Sequence, residues 1–269
     1  MPTQFTGRCH VRSIMMIAHF DAKLSKGMRS GPLRPHYVLA FLTLFCPLKV
    51  WAGRPTAAQK PCQTPLIAAI QKRDSAGAKK LIDSGADLNT YDCNGSTALI
   101  ESIALNQFEV TEKLVLAGAN ANLEGRSKND TPLMIAAWYC RQKTVLLLLA
   151  RGADVNAVDS NGYSPLMDSG QNCEDGSVPA LLLRFGARIG TTAKNGHTAL
   201  YIASFYGNEH VVHVLVAAGA DIGAKTENGE TALTIARDRD VGRKESHDRI
   251  YQFLLEATTL EKSPARGAP

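Results

Sequence analysis

Two adjoining stretches decide the fold. Thr131-Pro-Leu-Met-Ile-Ala-Ala137 is followed by Thr144-Val-Leu-Leu-Leu-Leu-Ala150, then by Gly152-Ala-Asp-Val-Asn-Ala-Val-Asp-Ser-Asn-Gly-Tyr-Ser-Pro-Leu166. The Thr131 hydroxyl suits the exposed amides of a first helical turn. Pro132 falls at N1, where its fixed φ helps and its missing N–H costs nothing. Leu133, Ala136 and Ala137 form a narrow apolar stripe whose small residues let a neighbouring helix approach. Val145 to Leu149 reads as an almost wholly apolar second helix, buried between neighbours, and Gly152 ends it in the left-handed C′ conformation. Asp159-Ser-Asn-Gly162 is turn chemistry leading into the next cap, Ser164.

The same unit recurs along the chain. Helix-opening residues fall at Thr64, Thr97, Thr131, Ser164, Thr198 and Thr231, and Gly-Ala recurs at Gly85, Gly118, Gly152, Gly186 and Gly219. A beat of 33 or 34 residues marks stacked supersecondary units, each burying its apolar face only against neighbours. The prediction is an all-α solenoid of six helix–turn–helix repeats joined by hairpin-like loops. Its repeats are 64–96, 97–130, 131–163, 164–197, 198–230 and 231–258, preceded by a linker at 53–63.

The cap, small pair, apolar helix and Gly-Ala-Asp resemble the ankyrin repeat, over roughly residues 60–258. The resemblance implies a rigid binding surface rather than a catalytic cleft. Repeat four departs from the pattern: Ser169-Gly170 replaces the small alanine pair, one residue is added before Gly186, and Gly176 and Pro179 shorten its helices. A frayed repeat is one reading, a bend at a binding site the other. Repeat six is longer, with Arg237 to Asp248 intervening, as suits a terminal cap whose outer face meets water. A disordered tail is expected over 259–269.

The first 52 residues are of another kind. They carry seven of the chain's 30 Lys and Arg and one acid, Asp21, which leaves 23 bases against 24 acids from Gly53 onward. The formal charge of +5 is therefore an N-terminal property, and no basic stripe marks the repeats for nucleic acid. Arg29 and Arg34 precede the uncharged run Tyr37-Val-Leu-Ala-Phe-Leu-Thr-Leu-Phe45, and Val50-Trp51-Ala52 follows. That order reads as a secretory signal peptide over 1–52, cleaved after Ala52, with Met28 the expected true start. The run is short for a membrane span, so an uncleaved anchor is the alternative. The expected location is the periplasm, with secretion or N-terminal anchoring as alternatives.

Processing would leave Cys62, Cys93, Cys140 and Cys173, which allow three connectivities. Cys140 and Cys173 occupy equivalent positions in adjacent repeats and are the expected pair, given some adjustment in repeat four. Cys62–Cys93 is the second candidate, and free thiols are the alternative to both.

No catalytic motif stands out: the chain lacks G-x-S-x-G, a P-loop, H-E-x-x-H and C-x-x-C. His210 and His213 lie three apart but lack further ligands, and Asp168, Glu174 and Asp175 read as a solvated patch. An enzyme would need Asp168, Asn172, Glu174 and His213 to converge from different helices. No cofactor and no metal are expected. In ankyrin-like units the seventh and eighth residues after the cap face the groove. Here they are Gln71-Lys72, Ala104-Leu105, Trp138-Tyr139, Gln171-Asn172, Phe205-Tyr206 and Asp238-Arg239. Large rings anchor interfaces because they bury much area with few rotors. The candidate partner-binding residues are therefore Trp138, Tyr139, Asn172, Phe205 and Tyr206. Arg126, Lys128 and Lys194 at the loop tips would form a rim. The expected activity is non-enzymatic binding of one protein partner by a monomer; a secreted host-directed factor is the alternative.

Overall fold

The computed structural model describes residues 64–126, 128–237 and 244–262 of the 269. The leader, the linker and the Asp238-Arg239 pair lie outside the described residues. Six pairs of helices follow one another: α1 (Pro65–Gln71) and α2 (Ser75–Asp83), α3 (Ala98–Ala104) and α4 (Phe108–Leu116), α5 (Pro132–Trp138) and α6 (Gln142–Ala150). Then come α7 (Pro165–Asn172) and α8 (Ser177–Arg184), α9 (Ala199–Tyr206) and α10 (Glu209–Ala217), α11 (Ala232–Arg237) and α12 (Lys244–Lys262). First helices pack against first helices and second against second, which makes two parallel rows.

Each first helix starts as its sequence dictates. Thr64, Thr97, Thr131, Ser164 and Thr198 stand in extended backbone, and each hydroxyl accepts from the amide three residues on. The stripes then interlock: Leu66, Leu99, Leu133, Leu166 and Leu200 are all at most 1% exposed. Second helices contribute Val110, Leu114, Val145, Leu148, Leu182, Val211 and Leu215 to the same core.

Hydrogen bonds between repeats fix the stacking. The Gln107 side-chain amide donates to the Ile70 carbonyl (2.6 Å), and that of Asn208 donates to Gly170 (2.7 Å). Each thereby satisfies a carbonyl at the C-terminus of the preceding first helix. Asn89, Asn122 and Asn156 form a ladder through the loops: their side-chain oxygens accept from the amides of Asn120, Asp154 and Arg188. The corresponding residues of repeats four and five are Gly190 and Gly223, and the ladder stops there. The loop tips add a backbone ladder, Arg126 N–H to Gly95, Ser160 to Lys128, Lys194 to Asn161 and Glu227 to Asn195. Gly196 shows what this closeness demands. It has φ +76°, and a Cβ there would lie 2.8 Å from the Glu227 nitrogen.

Repeat four is where the pattern bends. Residues at the turn after the first helix have positive φ in repeats one, two, three and five (Arg73, Asn106, Cys140 and Gly207). Cys173 instead is extended (φ −85°, ψ 91°), and the left-handed residue is Gly176 (φ +68°). The extra residue is absorbed in this turn, and the displaced Cys173 bonds to Cys140 across a Cα separation of 5.3 Å. Cys93 is also disulfide-bonded; its expected partner Cys62 lies outside the described residues.

The C-terminal end differs from expectation. Lys244–Asp248 form the first turns of α12 rather than an irregular insert, and α12 continues to Lys262. Thr259–Lys262 are thus helix rather than tail. The stretch up to Lys262 contains no Pro or Gly, and Pro264 is the first residue that cannot continue a helix. Residues 263–269 lie outside the described residues.

Candidate partner-binding groove

The ends of the first helices and the loop tips meet along one side of the stack. The two expected aromatic pairs sit at the C-terminal ends of α5 and α9. Trp138 and Tyr139 are half-buried, their rings edge-to-face with centroids 4.6 Å apart. Phe205 and Tyr206 repeat the arrangement at 5.2 Å. Tyr139, Phe205 and Tyr206 also pack against the core, so part of each pair's area is spent inside the stack.

The polar pair of repeat four locks the first aromatic pair in place. The Trp138 indole N–H donates to Gln171 Oε1 (3.1 Å), and the Asn172 side-chain amide donates to the Trp138 carbonyl (3.0 Å). The Cys140–Cys173 bond lies immediately beyond both ends of this contact. Arg141 approaches the other side of Tyr139, its Cζ 5.7 Å from the ring centroid. Of the expected rim, Arg126 and Lys194 are exposed and Lys128 half-buried. The Arg126 guanidinium lies 4.2 Å over the Tyr91 ring.

A second cluster lies in repeats three to five, and the sequence reading did not include it. Tyr163 and His197 are the residues just before the caps of repeats four and five. The Tyr163 hydroxyl is 3.2 Å from His197 Nδ1, and the Asn195 side-chain amide donates to that hydroxyl (3.2 Å). The His197 ring lies against Tyr201, centroids 4.5 Å apart and tilted by 30°. Tyr201 in turn donates to Glu230 Oε2 (2.7 Å), and Glu230 precedes the cap of repeat six. Three successive loops and α9 therefore share one network. The signal was present: the residue before each cap changes from Ser96 and Asp130 to Tyr163, His197 and Glu230.

Three phenols in this region hold their protons above the usual tyrosine range. Burial is the main cause at Tyr163, with Asp159 and Asp168 adding to it against the Asn195 hydrogen bond. Burial again leads at Tyr201, reinforced by the hydrogen bond to Glu230 and its charge. At Tyr206 burial acts first and Tyr163 second. The carboxylates acting on these hydroxyls are Asp159, Asp168 and Glu230.

The residues an enzyme would use have different neighbours. Asn172 holds Trp138, Asp168 acts on Tyr163, Glu174 is exposed, and His213 stacks on Phe253 at 3.9 Å. A shallow cavity of about 400 Å³ between α10 and α12 includes His213, Glu209 and Phe253. It belongs to the second-helix row. Among the described residues no group of three or more His, Cys, Asp or Glu could hold a metal ion, and no helix is long and apolar enough to cross a membrane.

Comparison with known proteins assigns the architecture. The family model for ankyrin repeats in three copies matches residues 66–159 and 166–262.

The chain belongs to the ankyrin repeat family.

The B-cell lymphoma 3 protein homolog of Mus musculus is 33% identical over 183 residues, 66% of this chain and 41% of that protein. Ankyrin repeat and SOCS box protein 6 of Homo sapiens is 33% identical over 141 residues, 50% of this chain and 34% of that protein. Glycerophosphocholine phosphodiesterase gde1 of Schizosaccharomyces pombe is 33% identical over 88 residues, 33% of this chain and 8% of that protein. The chain thus spans less than half the length of each of these relatives, and all three are eukaryotic. Ankyrin repeats imply a protein–protein interaction module, and that is the coarse function of this chain.

Proposed function

We propose that this ankyrin stack is an exported, non-enzymatic module that holds one protein partner on the side lined by its loop tips and first helices. The periplasm is its proposed setting, and an adaptor, protective or inhibitory role its proposed use. The observation that carries the reading is the aromatic lining. Trp138-Tyr139 and Phe205-Tyr206 recur two repeats apart, and Gln171 and Asn172 of the intervening repeat four hold Trp138 in place. Inter-repeat hydrogen bonds and a disulfide hold this lining in place before any partner arrives, so binding orders little and loses little entropy. Half-buried rings with polar edges are the side chains that anchor protein interfaces. Export is supported by the basic, apolar and small-residue order of the leader. It is also supported by the bonded state of Cys140, Cys173 and Cys93, since disulfides persist in oxidising compartments.

The test is a pull-down from the extracytoplasmic fraction with wild type and with a Trp138→Ala, Tyr139→Ala, Phe205→Ala, Tyr206→Ala variant whose helical circular dichroism matches. A partner retained by wild type and lost by the variant is expected. Equal retention would move the interface to another face.

A further inference from the structure

Asn-Gly occurs four times in the repeats, each time at a loop tip: Asn94-Gly95, Asn161-Gly162, Asn195-Gly196 and Asn228-Gly229. The glycines share one conformation, with φ between +74° and +84°, and each donates its N–H to the carbonyl three residues back. The dipeptide is chemically reactive as well as turn-forming. With no Cβ on the following residue, the main-chain nitrogen can approach the asparagine Cγ closely. The four sites therefore share sequence and turn, and only their surroundings separate them.

Three of them are held. The Asn94 side-chain amide donates to Asp92 (3.4 Å), and the Gly95 carbonyl accepts from the Arg126 N–H (2.9 Å). The Asn161 amide donates to Asp159 (3.5 Å), and its carbonyl accepts from Lys194 (2.9 Å). The Asn195 amide donates to the Tyr163 hydroxyl (3.2 Å), its Oδ1 accepts from the His197 N–H (3.2 Å), and its carbonyl accepts from Glu227 (3.1 Å). The next loop also closes over each glycine: a Cβ on Gly95, Gly162 or Gly196 would lie 2.6, 3.2 or 2.8 Å from Arg126, Ala193 or Glu227.

The fourth site has none of these restraints. The backbone ladder ends on its loop, and among the described residues no group beyond that loop donates to 226–229. The Asn228 side chain makes no hydrogen bond with the described residues. A Cβ on Gly229 would meet nothing within 4 Å. Exposure alone does not distinguish it, since Asn94 and Asn161 are exposed too. The difference is that only the Gly229 N–H bond to Thr226 (2.8 Å) has to open before Asn228 can rearrange.

We propose that Asn228-Gly229 is a self-modification site, at which the folded protein converts Asn228 to aspartate and isoaspartate while the other three Asn-Gly pairs stay intact. The Gly229 nitrogen attacks Asn228 Cγ; the N–Cγ bond forms, the Cγ–Nδ2 bond breaks, and ammonia leaves with the Gly229 proton. Water then opens the cyclic imide. Attack at Cγ gives aspartate, and attack at the main-chain carbonyl gives isoaspartate. Either product places a new carboxylate beside Glu227. Isoaspartate also lengthens the main chain between Thr226 and Glu230, whose mutual hydrogen bonds (2.8 and 3.2 Å) close the loop. Because Glu230 accepts from Tyr201, the change reaches the ring network of repeats three to five.

The test incubates the full-length protein in mildly alkaline buffer, native and in urea, and follows each Asn-Gly peptide by tryptic mass mapping. A protease that cleaves before aspartate but not isoaspartate identifies the product. In the native protein Asn228 should convert at least about tenfold faster than Asn94, Asn161 or Asn195, whose additional hydrogen bonds must also open. In urea the four rates should come together, which assigns the selectivity to the fold. A Gly229→Ala variant should slow conversion at Asn228 alone. Native conversion of another pair as fast as Asn228, an intact Asn228 when the unfolded chain has reacted, or aspartate without isoaspartate would overturn the proposal.

Discussion

Removing the Cys140–Cys173 bond tests how repeat four is held in register. The bond joins residues 33 apart in sequence. In the chain-entropy treatment, closing a loop of that length in the unfolded chain stabilises the fold by roughly 3.7 kcal/mol at 25 °C. Native disulfides typically give 2–5 kcal/mol. Here the extended backbone of Cys173 and the turn ending at Gly176 depart from repeats one, two, three and five, so the bond also replaces the usual turn geometry. A Cys140→Ala, Cys173→Ala variant should lose about 3 kcal/mol on these grounds. Unfolding in urea, followed by far-ultraviolet circular dichroism and by Trp138 fluorescence, measures the loss. Comparing the two probes also shows whether repeats three and four unfold with the rest, because stacks of repeats need not be two-state. Coincident transitions with a loss under about 1 kcal/mol would refute the reasoning: repeat four would then be held by packing alone.

Asn208→Ala should cost about 1–3 kcal/mol, since it strands the buried Gly170 carbonyl; equilibrium unfolding checks it, and a neutral effect would contradict the bridging role. Gly196→Ala should destabilise more than Gly229→Ala. Both have positive φ, but only the first meets the next loop, with the Glu227 nitrogen 2.8 Å away against open space; paired thermal melts decide the order. Tyr163, Tyr201 and Tyr206 should ionise later than an exposed phenol in an absorbance titration at alkaline pH. Their raised folded-state values mean this stability is complete below the unfolded value near 10 and is lost as pH rises through the higher folded ones. Tyr201→Phe should remove one of the late transitions.

The fold was legible because every repeat spells out its own caps. Thr131 with Pro132, and Gly152 at the helix end, dictate local backbone independently of the neighbours, and the beat supplies the neighbours. The aromatic pairs were legible for the same reason, their offset from the cap being constant. The Tyr163–His197–Tyr201–Glu230 network was harder to read. It joins residues from three loops and one helix, and no single repeat displays it. Only the stacking distance brings Tyr201 to Glu230, 29 residues away. The disulfide was legible as a pairing of equivalent positions, but not the means by which it forms, because Cys173 leaves the left-handed conformation that Cys140 keeps. The end of the last helix was misjudged: the compositional change at Pro264 was placed several residues too early.

The most direct test of the central claim is photo-crosslinking in cells from one position on each face. Benzoylphenylalanine replaces Phe205 in the groove or Leu146, which is 48% exposed on α6 in the row of second helices. The account predicts a discrete protein adduct from position 205 and none from 146. An adduct from 146 with nothing from 205 would contradict it.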